Sequence, residues 1–496
     1  MIRERIENMM NLSGINKLMI FDHSNFGGIF DYTSILKNHG FKIVPYTSVE
    51  AFRLEYEETL KTTTELIAVI VKHEIYVPYD IQQNFRKVNL SLGLVFPKLH
   101  ADTLSTYARD VDLISFAYDS CYADAKTSAD TEDFIHNTAL SEAMISRYCM
   151  VKMKLLKQSC ETTKRYTDWI EIAKSKAAIH YYAVMASIDI DLSFSDEGFM
   201  QFIESSFASL SSELGASAPA IVTKTLKFIS ETSWSAAQPS THSSNPANRK
   251  IALVVMDGMS LFDFEVISRY FTEIEYEVDG TFALIPTTTP ISRQSLLSGK
   301  YPRELEKPFS LVNEERGFIL LGEELGYAKN QIQYLRGYEP NISQFAKFIT
   351  VIINDVDEIV HGQRQERIGV YNDMQVLGKS GKLQGLVKML VSSGFEVHIT
   401  SDHGNTPCVG VGGFRSGVEM QSKSMRMVVL KDFAEEHTLL KKFTIEYSGT
   451  YLDKSFKYFV CEPGFSFDSK GESVMTHGGM TIDEVIVPFV KIKGVR

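Results

Sequence analysis

Asp357 and His361 stand four residues apart in FITVIINDVDEIVHG, adjacent Asp402 and His403 close the stretch FEVHITSDHGN, and His477 precedes two glycines in THGGMTIDEVIVPFV. Carboxylates and imidazoles are the ligands that divalent cations of the zinc or manganese kind take. On a helix, the spacing of Asp357 and His361 stacks both side chains on one face, where they can share an ion. Asp355 competes for that role. Consecutive strand residues face opposite ways, yet where a strand ends and turns into Gly404, Asp402 and His403 can both swing to one ion. The two glycines after His477 let the backbone pass close to a metal centre. Asp257 closes the apolar stretch KIALVVMDG, and three threonines precede a proline in TFALIPTTTPISRQSLLSG. Pro290 favours the first turn of a helix, which puts Thr289 at the N-cap beside backbone N–H groups that attract an anion. Arg293, one turn on, can fork onto phosphate oxygens.

Singly, each residue has an ordinary explanation: an aspartate ending a strand serves a turn, a threonine caps a helix, and a DxxxH pair sits on a surface. Together they explain one another. Asp257, Asp357, Asp402, His361, His403, His477 and Thr289 suffice for two divalent ions in nitrogen and oxygen coordination, zinc first and manganese second. Two ions about 4 Å apart can hold the attacking and leaving oxygens of an in-line displacement. Coordination also lowers the pKa of a threonine hydroxyl, otherwise a poor nucleophile.

Such a constellation needs a scaffold that gathers distant segments. In open α/β sheets ligands sit beyond the carboxyl ends of the strands, and each candidate here follows an apolar strand or sits in a glycine turn. The fold class expected is α/β. Residues 1–100 alternate KLMIFD, FDYTSILKNHG, FKIVPYT, VEAFRLEYEE and ELIAVIVK, the strand and helix rhythm of a small Rossmann-like parallel sheet. A phosphoacceptor receiver domain would need clustered acids after the first strand, where Asp22 stands alone. Residues 101–234 turn helical, with apolar residues recurring at threes and fours, and suit a connector or a partner-binding surface. Residues 235–249, rich in Ser, Pro, Asn and Ala, read as a linker, and 250–496 form the catalytic domain.

At 496 residues the chain is too long for one core. Its formal net charge of -11 excludes a global positive field for nucleic acid or anionic lipid. Any phosphate it handles must be held locally. The N-terminus, MIRERIENMMNLSGINK, lacks the apolar core of a signal peptide, and no apolar run reaches bilayer length, so a cytoplasmic protein without membrane partners is expected. The five cysteines, with no CxxC spacing, read as free thiols in a reducing compartment.

The order Asp257, Thr289, DxxxH, SDHG and HGG resembles the alkaline phosphatase superfamily. More narrowly, PTTTPISRQSLLSG and HGGMTIDEVIVPFV look like the PglZ domain of bacterial anti-phage systems of the BREX type, over roughly the last 247 residues. The N-terminal region is also similar to that of standalone PglZ proteins, in FRLEYEE and VNLSLGLVFPKL. The resemblance implies an alkaline phosphatase-like C-terminal domain. It further implies one ion on Asp357, His361 and His477, and a second on Asp257, Thr289, Asp402 and His403. Thr289 would be the nucleophile, with Arg293 on the transferred phosphate. Implied substrates are nucleotide or oligonucleotide phosphoesters, and implied partners are other phage-defence subunits. The alternative is a scaffold subunit with a vestigial site. A phosphomutase would need a sugar-phosphate pocket that no motif here supplies.

Overall fold

A computed structural model describes residues 1–72, 74–213, 215–232, 249–414, 423–431 and 438–495. The linker read over 235–249 lies, apart from Arg249, outside the described residues. The chain forms two compact units, Met1–Met150 and Val151–Arg496, so their boundary falls inside the helical stretch.

In the first unit β1 (Lys17–Asp22), β2 (Lys42–Pro45), β3 (Ile67–Lys72) and β4 (Arg86–Asn89) form a parallel sheet in the order β2-β3-β1-β4. Three of these strands follow the apolar runs of the sequence. Met19, Val69, Val71, Phe52 and Tyr56 form the core beneath them. β4 has no such signature, because only Val88 of its four residues is buried. Asp22 is fully consumed by its own loop, accepting from Phe26 N at 2.5 Å, Gly27 N at 2.8 Å and the Tyr32 hydroxyl at 2.9 Å. Those bonds make it a structural residue.

The second unit is built on a six-stranded sheet of order β6-β16-β9-β5-β8-β7, from β5 (Ile251–Met256), β6 (Ile274–Phe282), β7 (Ile332–Arg336), β8 (Phe348–Ile353), β9 (Glu396–Thr400) and β16 (Ile486–Val495). β9, β5, β8 and β7 run parallel, and β16 runs antiparallel to both β9 and β6. Every residue of β5 and β8 is buried, as expected of central strands covered on both faces. The strand read as TFALIP instead lies mostly upstream, in IEYEVDGTF. That strand occupies the sheet edge, and its half-polar sequence hides it. β10 (Thr406–Gly410), β14 (Phe465–Ser466) and β15 (Ser473–Thr476) make a small second sheet that ends beside His477, and β11 (Met427–Lys431), β12 (Thr444–Tyr447) and β13 (Phe456–Cys461) make a third.

The helices Tyr166–Met185 and Phe194–Ser206 belong to this second unit, and the first packs on the Leu261–Ser268 helix. Between them they carry a buried ionic cluster. Lys176 Nζ lies 2.9 Å from Asp196 Oδ2 and 3.5 Å from Asp483 Oδ2, and Arg367 Nη2 donates to Asp483 at 2.8 Å. Asp196 Oδ1 also accepts from Ile482 N at 2.9 Å, so the helices hold the segment that follows the HGG turn. All five cysteines are free, and among the described residues no helix is long and apolar enough to cross a membrane. Lys176→Met strips the counter-charge from buried Asp196 and leaves Asp483 with Arg367 alone. It is expected to cost about 3–5 kcal/mol, read as a lowered midpoint in denaturant unfolding of the full chain.

Candidate metal centre

Asp257 follows β5, Asp357 and His361 lie on the Asp355–Gly362 helix that follows β8, and Asp402 and His403 follow β9. The three segments meet beyond the carboxyl ends of adjacent parallel strands. Asp357 N donates to Asp257 O at 3.1 Å, and Gly258 N donates to Asp402 Oδ1 at 3.2 Å. Gly258 has φ +73, and a side chain there would press on Asp357, so glycine is what lets the first two segments touch.

Two groups of donor atoms result: Asp357, His361 and His477 in one, and Asp257, Asp402 and His403 in the other, each within 4.8 Å. In the first, the Nε2 atoms of His361 and His477 are 3.1 Å apart and lie 3.2 and 3.3 Å from Asp357 Oδ1. In the second, His403 Nε2 is 3.8 Å from both Asp257 Oδ1 and Asp402 Oδ2. The groups adjoin, since the rings of His403 and His477 stack with centroids 4.0 Å apart. Thr289 Oγ1 reaches the second group, 3.1 Å from His403 Nε2. Asp355 belongs to neither; it lies beside the Tyr338 phenol and helps burial push that group's pKa up.

These atoms suit a cation better than they suit each other. Asp257 Oδ1, Asp357 Oδ1 and Asp402 Oδ2 are buried and make no hydrogen bond. His477 donates from Nδ1 to Thr287 O at 2.8 Å and His403 from Nδ1 to Gly404 O at 3.1 Å. Those bonds assign a lone pair to each inward Nε2, an arrangement that orients metal-ligating histidines. Zinc bonds of about 2.0–2.2 Å set tetrahedral neighbours roughly 3.3–3.6 Å apart. The spacings of the Asp357 group lie close to that.

Electrostatics tells the same story. Burial, with Asp402 adding to it, pushes Asp257 up to about 8 despite Arg293 alongside. Burial drives His403 down to about 3, so it is neutral. Burial would raise Asp357, but the imidazoles of His361 and His477 hold it well below the usual range. His477 rises in turn, because Asp357 outweighs the effect of burial.

One expectation needs revising in detail, and one candidate has partners the sequence does not announce. The helix runs Thr289–Ser298 with Thr288 as N-cap, so Thr289 is its first residue and Pro290 its second. The first-turn N–H groups have no intrahelical partner, so proline is tolerated at either position. Arg293 is 2 % exposed and donates to Asp257 Oδ2 at 2.5 Å and Glu314 Oε2 at 2.9 Å. Glu314 takes the Tyr334 phenol on its other oxygen. In this structure the guanidinium therefore holds a carboxylate in place.

The family model of the BREX system PglZ alkaline phosphatase-like domain matches residues 238–492, just over half of the chain. The chain belongs to the PglZ family. Its C-terminal fold is accordingly alkaline phosphatase-like, a phosphoesterase architecture. Solved structures with partial likeness include murine ectonucleotide pyrophosphatase/phosphodiesterase 5, at 12% identity and TM-score 0.35, covering 49% of this chain and 88% of that one. An inactive murine variant in complex with AMP gives 12% and 0.33, and the human protein 13% and 0.32, with the same coverage. No curated protein matches.

The PglZ domain also holds buried polar groups outside the ligand motifs. Glu484, fully buried, accepts from Gly479 N at 2.7 Å, from Thr481 N at 3.1 Å and Oγ1 at 2.7 Å, and from Arg426 Nη1 at 2.9 Å. Thr481 and Glu484 form a capping box, a T-x-x-E signal that TIDE carries in plain sight. Arg426 and Glu314 have no local signature. Because Asp257 must lose a proton held up to about 8, metal uptake at pH 7 should release about one proton and weaken as pH falls below that value. Calorimetric titration in buffers of different ionisation enthalpy measures both.

Proposed function

We propose that this PglZ protein is a metal-dependent phosphodiesterase or phosphatase that works through a phosphothreonine on Thr289, acting on nucleotide or oligonucleotide phosphoesters in cytoplasmic anti-phage defence. The observation that carries the reading is the Thr289 hydroxyl set beside a cluster of carboxylates and imidazoles in which three buried carboxylate oxygens make no hydrogen bond. Asp357, His361 and His477 would hold one divalent ion, and Asp257, Asp402, His403 and Thr289 the other. Ions bound there supply Lewis acidity, lowering the hydroxyl pKa and drawing charge from the phosphoryl oxygens.

Thr289 Oγ1 attacks phosphorus and gives its proton to solvent, while the bond to the leaving alcohol or nucleotide breaks and that oxygen takes a proton from solvent. Water then displaces Thr289, giving free phosphate or a phosphomonoester. Thr289 sits at the first turn of a helix, whose N–H groups and dipole favour the charge that spreads over the equatorial oxygens. Arg293 acts from behind, fixing the orientation of Asp257. Zinc- or manganese-loaded protein is assayed on a nitrophenyl phosphodiester, the monoester and short oligonucleotides. Thr289→Ala should lose about a thousandfold or more, and acid quenching of the wild type should leave a phosphate on the peptide carrying Thr289. Undiminished turnover by the variant rejects the assignment.

A further inference from the structure

The first two threonines of the run before Pro290 have no part in the chemistry above, yet Thr287 is wholly buried at the centre's edge. Three hydrogen bonds join it to the HGG turn. Its carbonyl accepts from His477 Nδ1 at 2.8 Å, its hydroxyl accepts from Gly478 N at 3.0 Å, and that hydroxyl donates to Gly479 O at 2.9 Å. The turn lies between β15 and the one-turn helix Ile482–Val485, outside any ladder that could satisfy its backbone. Thr287 stands in for the missing strand. Gly478 has φ +115, and a side chain there would collide with Ser424, so the turn cannot be held by bulk of its own.

Thr287 is also two residues from Thr289, whose hydroxyl meets the other group of donors at His403. One residue thus fixes the tautomer and aim of His477 in one group and the entry of the nucleophile into the other. We propose that Thr287 is the positioning residue that sets the affinity of the Asp357, His361 and His477 site by clasping the HGG turn to the nucleophile loop. The inference rests on the metal reading above.

The test titrates zinc into metal-free full-length protein against a competing chelator, alongside the unfolding midpoint. The wild type should take up two zinc ions. Thr287→Val, which keeps shape and loses the hydroxyl, should weaken one of them 10–100-fold and leave the other. Thr287→Ser, with the hydroxyl restored, should return that affinity to near the wild-type value, which a loss of packing would not do. In 15N-histidine-labelled metal-free wild type, His477 should carry its proton on Nδ1, a measurement that needs no variant. Thr287→Val binding both ions as tightly as wild type, or His477 protonated on Nε2 alone, overturns the clasp. A wild type that binds no zinc overturns the metal reading and the clasp with it, so the two failures differ.

Discussion

Three buried carboxylate oxygens, none with a hydrogen bond, converge with the inward Nε2 atoms of His403 and His477, whose Nδ1 protons are spent on backbone carbonyls. In a medium of low dielectric such acceptors repel one another strongly. Burial and the cluster's charge bear on its proton affinities: the pKa of the Asp257 carboxyl is pushed up to about 8, and that of His477 is raised beside Asp357. Two cations would offset that charge with fixed geometry. The fold around the cluster consists largely of devices that hold these side chains in place against their mutual repulsion.

Parallel strands β9, β5 and β8 bring three of the ligand-bearing segments within reach, and buried ion pairs set their final positions. Arg293 bridges Asp257 and Glu314, Arg426 meets Glu484 under the HGG turn, and Lys176 with Arg367 surrounds Asp483. A buried pair gains little net stability, because desolvating two charges roughly offsets their attraction. Their value here is direction. Each joins a segment near the centre to a second element of the same unit.

The motifs were legible because ligand chemistry is discrete: few residue types bind a divalent ion, and DxxxH, SDHG and HGG each stand after a strand or in a glycine turn. The all-apolar stretches that became β5 and β8 were legible for a similar reason, since burial on both faces leaves no alternation to misread. Edge strand β6 and short β4 were not, as partial burial blurs the pattern. The cap position slipped by one because three identical residues precede Pro290 and proline fits either of two first-turn sites. Glu314 and Arg426 left no trace, for their partners lie far away in sequence. Arg293 shows the converse limit. Its type and distance from Thr289 suit a phosphate, and only packing reveals that two carboxylates already hold it.

The family signature begins at residue 238, yet the lysine that neutralises Asp483 comes from the Tyr166–Met185 helix, within the same compact unit. The piece of this protein that can be inherited or transplanted intact is therefore larger than its recognisable signature. A graft cut at the edge of that signature would carry the DxxxH, SDHG and HGG segments away from one of the two cations that face Asp483, and any recombination event joining this domain to a new neighbour has to bring those helices along or reinvent them.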